Sequence, residues 1–216
     1  MRQMRNITLG LGLALTLILA TAAQTETPEE RGLAIAKEAD RRGLGYKDST
    51  SELVMILRNR HGEESERFME VRSLELLEDG DKSLTTFKRP ADVKNTGLLT
   101  FSHKLEADDQ WLYLPALRKT KRIASGDKSG SFMGSDFNYS DMTSPDLDEY
   151  EYTLMKETEV RGKPVWQIKA VPKSKAEIEE SGYTQSVLFV RQDNYVVVRG
   201  VRWVHKKKRL KYMDVK

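Results

Sequence analysis

The spacing of apolar positions changes character twice before residue 60. Ile7 to Ala20 is an almost unbroken apolar run; Leu33, Ala36 and Ala39 then recur at helical spacing; and from Ser51 onward the period falls to two. The helical stretch carries its own start and stop signals. Thr27 can cap, Pro28 suits the first helical position, Glu30 closes a capping box, Arg41 and Arg42 sit at the negative end of the helix dipole, and Gly43 can terminate. Together they predict one short amphipathic helix over residues 28–42.

Period-two segments follow at Ser51 to Arg60, Glu66 to Leu77, Lys82 to Arg89, Leu98 to His103, Gln110 to Leu114 and Leu117 to Ile123. They resume at Tyr150 to Val160, Val165 to Val171, Thr184 to Arg191, Tyr195 to Lys206 and Arg209 to Val215. Turn chemistry separates them: His61-Gly62-Glu63, Glu78-Asp79-Gly80-Asp81 and Glu106 to Asp109, with Arg161-Gly162-Lys163 and Gln192-Asp193-Asn194 short enough for hairpins. Eleven strands joined by short connections favour an antiparallel meander over a parallel sheet, and a sheet that wide must curl or close.

Two segments break the meander. Ala124 to Glu149 is rich in Gly, Ser and Asp yet carries Phe132, Met133, Phe137, Tyr139 and Met142. A connection of that length is functional or disordered, and its aromatics argue against disorder. Pro172 to Gly182, with Lys173, Lys175, Glu177, Glu179 and Glu180, reads as a charged crossover with about one helical turn.

Composition changes the picture at the amino terminus. Arg2 and Arg5 precede the Ile7–Ala20 run, and Ala20-Thr21-Ala22-Ala23 offers small residues for a peptidase, the pattern of a cleavable export signal over residues 1–23. The run is shorter than the roughly 20 residues of a spanning helix. Of the 36 basic residues, Arg2 and Arg5 leave with the signal; 33 acids remain, so the mature chain of residues 24–216, read as one domain, is close to neutral. Export from a bacterium places it in the periplasm, not spanning the membrane once the signal is cleaved. A chain without cysteine has no disulfide, thiolate metal site, Cys nucleophile or lipid-modified amino-terminal Cys.

Catalytic chemistry finds little to stand on. His61 lies in a turn, His103 and His205 at strand ends; no pair has zincin spacing, and no Gly-x-Ser-x-Gly elbow is present, so the reading is of a binding protein, not an enzyme, with no cofactor or metal. Asp136, Asp141, Asp146, Asp148 and Glu149 lack the spacing of a calcium loop and read as solvated loop acids. In the basic run, strand alternation puts Lys119 and Lys121 on one face and Arg118, Thr120 and Arg122 on the other. Export makes nucleic acid a poor partner for it, leaving anionic lipid headgroups, an acidic membrane partner, or an ordinary solvated face. The last long strand is apolar on both faces, Tyr195, Val197, Val201 and Trp203 against Val196, Val198 and Val204, so something must cover the second one. A curved sheet folding around a helical plug or lid meets that need and commonly leaves an apolar cavity.

Trp111-Leu112-Tyr113-Leu114-Pro115-Ala116-Leu117-Arg118-Lys119 followed by Gly130-Ser131-Phe132-Met133-Gly134-Ser135-Asp136-Phe137 resembles the outer membrane lipoprotein-sorting proteins of the LolA/LolB-like superfamily, over about Ala34 to the carboxyl terminus. The resemblance implies a mainly β (α+β) fold: a strongly curved antiparallel sheet forming an unclosed β-barrel whose concave side, lidded by one or two short helices, receives acyl chains. It implies a periplasmic carrier of lipoproteins or other lipids toward the outer membrane, partnered by an inner-membrane transporter, which for relatives of this subgroup is an exporter of the resistance-nodulation-division type. The alternative is a lipid or lipoprotein sensor that regulates a membrane partner. Enclosing a sixteen-carbon chain contributes on the order of 11 kcal/mol before ordering costs, which calls for a lid that competes with cargo. Phe132, Met133 and Phe137 are the candidate lid; Leu99, Phe101, Trp111 and Tyr113 the candidate wall, with alternation leaving open whether Trp111 and Tyr113 or Leu112 and Leu114 face inward. Arg118, Lys119, Lys121 and Arg122 are the candidate headgroup or partner contacts. Members of the family commonly continue by another strand or two beyond the point matching Lys216, so this is a short member or a chain cut short.

Overall fold

A computed structural model describes residues 26–104, 106–144, 146–206 and 209–215; the expected export signal over residues 1–23 lies outside them. The first element, α1 (Pro28–Gly43), begins on the anticipated capping box. The Thr27 side chain accepts from the Glu30 amide (3.1 Å), and the Glu30 carboxylate accepts from the Thr27 amide (2.8 Å). Eleven strands follow, as the alternation predicts. They are β1 (Asp48–Arg58), β2 (Glu64–Leu74), β3 (Lys82–Arg89), β4 (Gly97–Phe101), β5 (Asp109–Leu114), β6 (Lys119–Ile123), β7 (Tyr150–Val160), β8 (Lys163–Pro172), β9 (Tyr183–Arg191), β10 (Val197–Val204) and β11 (Leu210–Asp214). The charged crossover holds α2 (Lys175–Ser181), capped by Ser174 and ended by Gly182 in the left-handed conformation.

All pairings are antiparallel between sequence neighbours, but the ladder is broken once, giving a six-stranded sheet β1-β2-β3-β4-β5-β6 and a five-stranded sheet β11-β10-β9-β8-β7. The break falls at the long loop 124–149. That loop is ordered into four short 3-10 turns, and it ties the sheets together. On the six-stranded sheet, Gln110 Nε2 donates to the Tyr139 carbonyl (2.9 Å) and Arg67 donates to the Met133 carbonyl. Toward the other sheet, Asn138 and Ser140 side chains both donate to the Ser181 carbonyl (3.0 and 2.9 Å), and the buried Lys128 pairs with Glu180.

Each sheet has its own core. The loop places Phe132 on Met69, Phe87 and Leu98 of the six-stranded sheet and Val93 of its β3–β4 connection, while α1 places Ile35 on Tyr152, Ile168, Ala170 and Val190 of the other. Gly32 lets the helix sit against β7, since a Cβ there would come within 2.7 Å of the Leu154 nitrogen. Among the described residues no helix is long and apolar enough to cross a membrane. The strongly curled, unclosed arrangement matches the expected fold class.

Three local readings need correction. Leu117 and Arg118 belong to the turn before β6, Arg118 with φ 47°, so Arg118 does not share a strand face with Thr120 and Arg122. Tyr195, at φ 63°, closes the β9–β10 connection instead of opening β10, and its ring packs on Trp166 (5.0 Å between centroids) beneath Arg42 of α1. Asp141 is no solvated loop acid: its side chain is 7% exposed and bound by Tyr183 and Arg202.

Candidate functional site

The two faces of the six-stranded sheet are distinguished by what covers them. Leu98 stands opposite Leu112 across β4–β5, and Leu99 opposite Trp111. Leu98 and Leu112 are buried, and Leu98 lies in the cluster under Phe132. The Leu112 row therefore faces inward, which decides the alternation the sequence leaves open. Leu99, Phe101, Trp111 and Tyr113 lie on the outer face. There Phe101 meets Trp111 edge-on (5.3 Å), and Leu99, Trp111 and Tyr113 line a cavity of about 360 Å³ together with Leu84, Gly97 and Thr120.

On the inner side a larger cavity of about 840 Å³ opens between the two sheets. Its walls come from Met55 to Asn59 of β1 and the turn after it, Glu63 to Ser65 entering β2, Gly134 to Phe137 and Asp141 of the long loop, Tyr183 of β9, Arg202 of β10 and Lys211 to Asp214 of β11. The cavity wraps the end of edge strand β1, so consecutive residues from Met55 to Arg58 reach it, and period two tells which of them face the core. Leu53 pairs with the buried Met69, so Leu53, Met55 and Leu57 share the inner face, and Leu53 is left exposed there.

The candidate lid residues therefore divide. Phe132 is 1% exposed and fixed between Phe87 (5.9 Å) and Tyr139 (5.6 Å). Met133, in the left-handed region at φ 49°, packs against the same cluster, its carbonyl held by Arg67. Phe137 alone of the three lines the large cavity and is 46% exposed. None of the four candidate wall residues reaches that cavity.

Beside Phe137 the cavity wall is charged. Asp141 receives Arg202 Nη1, and the Tyr183 hydroxyl donates to its Oδ2 (2.8 Å). Lys211 Nζ donates to Asn138 Oδ1 (2.7 Å) and to the Tyr183 oxygen (3.0 Å), and stands 4.0 Å from Asp141. Burial lowers the Lys211 pKa, against the raising effect of Asp141. Burial likewise pushes the Tyr183 phenol above its ordinary range, with the Asp141 charge adding to the shift. Arg202 and Lys211 also lie over the Tyr183 ring, each 5.1 Å from its centroid. Sequence reasoning missed this cluster. Its one visible signal is Arg202, which with Arg199 interrupts the apolar run from Val196 to Val204.

The basic run stays on the surface, on edge strand β6. Lys119 and Lys121 stand opposite Leu114 and Leu112, while Arg122 shares the Trp111 face and donates from Nε to Asp109 (3.1 Å), a bond that lowers the Asp109 pKa. The histidines stand apart from one another: His103 lies between Asp79 (2.9 Å from Nδ1) and Asp109 (3.8 Å from Nε2), His205 Nε2 lies 3.1 Å from Glu179, and His61 Nε2 accepts from Arg60 (3.1 Å). Among the described residues no group of three or more His, Cys, Asp or Glu is placed to hold a metal ion.

Two curled antiparallel sheets, a helix on one of them and a cavity between them define a LolA-like fold. A LolA superfamily protein from Nitrosomonas europaea has it, with a TM-score of 0.59 at 14% identity over 83% of this chain and 74% of its own. Two nearer relatives give the family. A domain from Vibrio parahaemolyticus named for outer membrane lipoprotein sorting is 41% identical, with a TM-score of 0.78 over 84% of this chain and 75% of its own. A DUF1329 family protein from Desulfovibrio piger is 34% identical, with a TM-score of 0.77 over 85% and 76%. A family model with the description "-like: Uncharacterized protein" matches residues 79–216. No curated protein matches the chain. The chain belongs to the outer membrane lipoprotein-sorting protein family, and its fold is LolA-like.

Proposed function

We propose that this protein is a periplasmic carrier that holds acyl chains of lipoproteins or of other lipids in the cavity between its two sheets and delivers them toward the outer membrane. The observation that carries the reading is the cavity itself. At about 840 Å³ it lies within the roughly 300–1,000 Å³ range of ligand pockets, and Met55, Leu57, Phe137 and Met213 give it apolar, adaptable walls. The export pattern over residues 1–23 and the lipoprotein-sorting name of the Vibrio relative support the same reading. Phe137 is the residue of the long loop best placed to yield to cargo, while Phe132 anchors the loop to its sheet. An inner-membrane transporter of the resistance-nodulation-division type is the proposed donor or acceptor, met by the exposed cations Lys119, Lys121 and Arg122 on the edge strand and Arg118 in the turn before it. The task is capture and release, with no bond made or broken.

The test is to export the full chain, purify it natively from the periplasm and identify bound lipid by mass spectrometry, then measure uptake of a fluorescent acyl probe. Co-purified lipid, or probe binding that Phe137→Asp weakens at least about tenfold by charging an apolar wall, is the expected result. Absence of both lipid and probe uptake would overturn the carrier reading.

A further inference from the structure

The charges that line the large cavity are of two kinds. Those at its rim are exposed and answered locally: Glu64 accepts from Arg58 Nε (2.7 Å), Asp214 pairs with Arg161 (3.1 Å) and Arg199 (3.0 Å), and Asp136, 89% exposed, faces Arg209 at 3.8 Å. Deeper in, exposure falls to 29% for Arg202, 14% for Lys211 and 7% for Asp141. Here the charges do not balance. Asp141 is one carboxylate for two cations, and Arg202 is the one it binds directly. Lys211 reaches it only at 4.0 Å, and its close acceptors, Asn138 Oδ1 and the Tyr183 oxygen, are neutral.

Holding a second cation in a half-buried cluster costs stability, because its desolvation is offset only by a long contact to a carboxylate that Arg202 already binds and by the neutral Asn138 and Tyr183. Apolar packing would serve the fold better at that position. Immediately beside the excess positive charge the cavity is lined by Met213 and Phe137, with Met55 and Leu57 across it. That juxtaposition is amphiphilic: a cationic end and an apolar body in one space. We infer that the cavity takes an anionic amphiphile, its carboxylate or phosphate head bound by Arg202 and Lys211 and its acyl chain laid along Met55, Leu57 and Phe137. This deepens the carrier reading and rests on it. It selects, among lipids, those with an anionic group next to the chain; Asp141 then orients the Arg202 guanidinium while the incoming head supplies the charge that Lys211 lacks.

The experiment displaces a fluorescent acyl probe from the full chain with hexadecanoate, hexadecyl phosphate, hexadecanol and inorganic phosphate. Both anionic amphiphiles should displace it at concentrations at least about tenfold below hexadecanol, since a charge-assisted head contact adds to an equal tail. The ratio between hexadecanoate and hexadecyl phosphate identifies which head is preferred. Inorganic phosphate should displace nothing; displacement by it at comparable concentration would mean a free-anion site and would overturn the inference. Lys211→Met should collapse the preference to within about threefold, with a circular-dichroism spectrum and a melting temperature close to those of the unaltered chain showing that the variant is folded, and Arg202→Lys, which keeps the charge but loses the guanidinium fork, should keep only part of it. Equal displacement by hexadecanoate and hexadecanol from the unaltered chain would sink the head-group inference and leave the carrier reading standing. Failure of every amphiphile, with no probe uptake, would sink both.

Discussion

Phe132 and Phe137 stand on one loop, and no local property separates them, yet the fold uses them in opposite ways. Phe132 is sealed between Phe87 and Tyr139; Phe137 borders the cavity. Replacing Phe132 by Ala should cost about 3–5 kcal/mol of unfolding free energy, through lost burial and the void left among Met69, Phe87 and Leu98. Phe137→Ala should cost less than about 1 kcal/mol while weakening acyl-probe binding several-fold. Denaturant titration of both variants checks the contrast, and equal destabilisation would contradict the division. The same reasoning explains why Asp141 was illegible in the sequence. Its loop is rich in exposed acids, and the groups that bury it, Tyr183 and Arg202, lie 42 and 61 residues further on. Charged clusters assembled by strands that are distant in sequence leave no spacing to read.

At the level of elements the sequence is far more explicit. α1 announces itself through Thr27, Pro28 and Glu30, and β3 and β7 begin and end where alternation places them, because both period and caps are local. What alternation cannot assign is the face. β5 carries Trp111 and Tyr113 on one side and Leu112 and Leu114 on the other, all large and apolar, so only the loop packing on Leu98 chooses between them. The break between β6 and β7 is equally non-local: it follows from the tie of the long loop to both sheets, not from any breaker in the strands. Helix docking offers a test at this scale. Gly32→Ala would press a methyl onto the β7 backbone at 2.7 Å and should cost about 1–3 kcal/mol, whereas Gly43→Ala, with open space around it in the last turn of the same helix, should stabilise by about 0.5–1 kcal/mol. Opposite signs in thermal unfolding would establish that the close approach of α1 to β7, not helix propensity, sets the cost at Gly32.

The molecule as a whole has two cores that share no buried residue, one under the long loop and one under α1. The contacts joining them run through the loop: Asn138 and Ser140 to Ser181, Lys128 to Glu180, and Asp141 to Arg202. Polar contacts and a cavity therefore lie between the sheets where a packed interior would otherwise be, and this architecture should couple occupancy to stability. An acyl ligand in the cavity touches β1 and the loop on one side and β10 and β11 on the other, so it stabilises the assembled pair of sheets and has no comparable site in the unfolded chain. At a free concentration one hundred times its dissociation constant, such a ligand adds about 2.7 kcal/mol, which for a chain of this size raises the melting temperature by about 5–10 °C. Differential scanning calorimetry with hexadecanoate should register that rise, and with Lys211→Met the rise at the same ligand concentration should shrink as the affinity falls. Any site confined to the folded chain gives the same rise, so Phe137→Asp locates it: a rise that survives that substitution undiminished would place the ligand on the outer cavity beside Trp111 and Tyr113 and would move the proposed groove to the other face of the sheet.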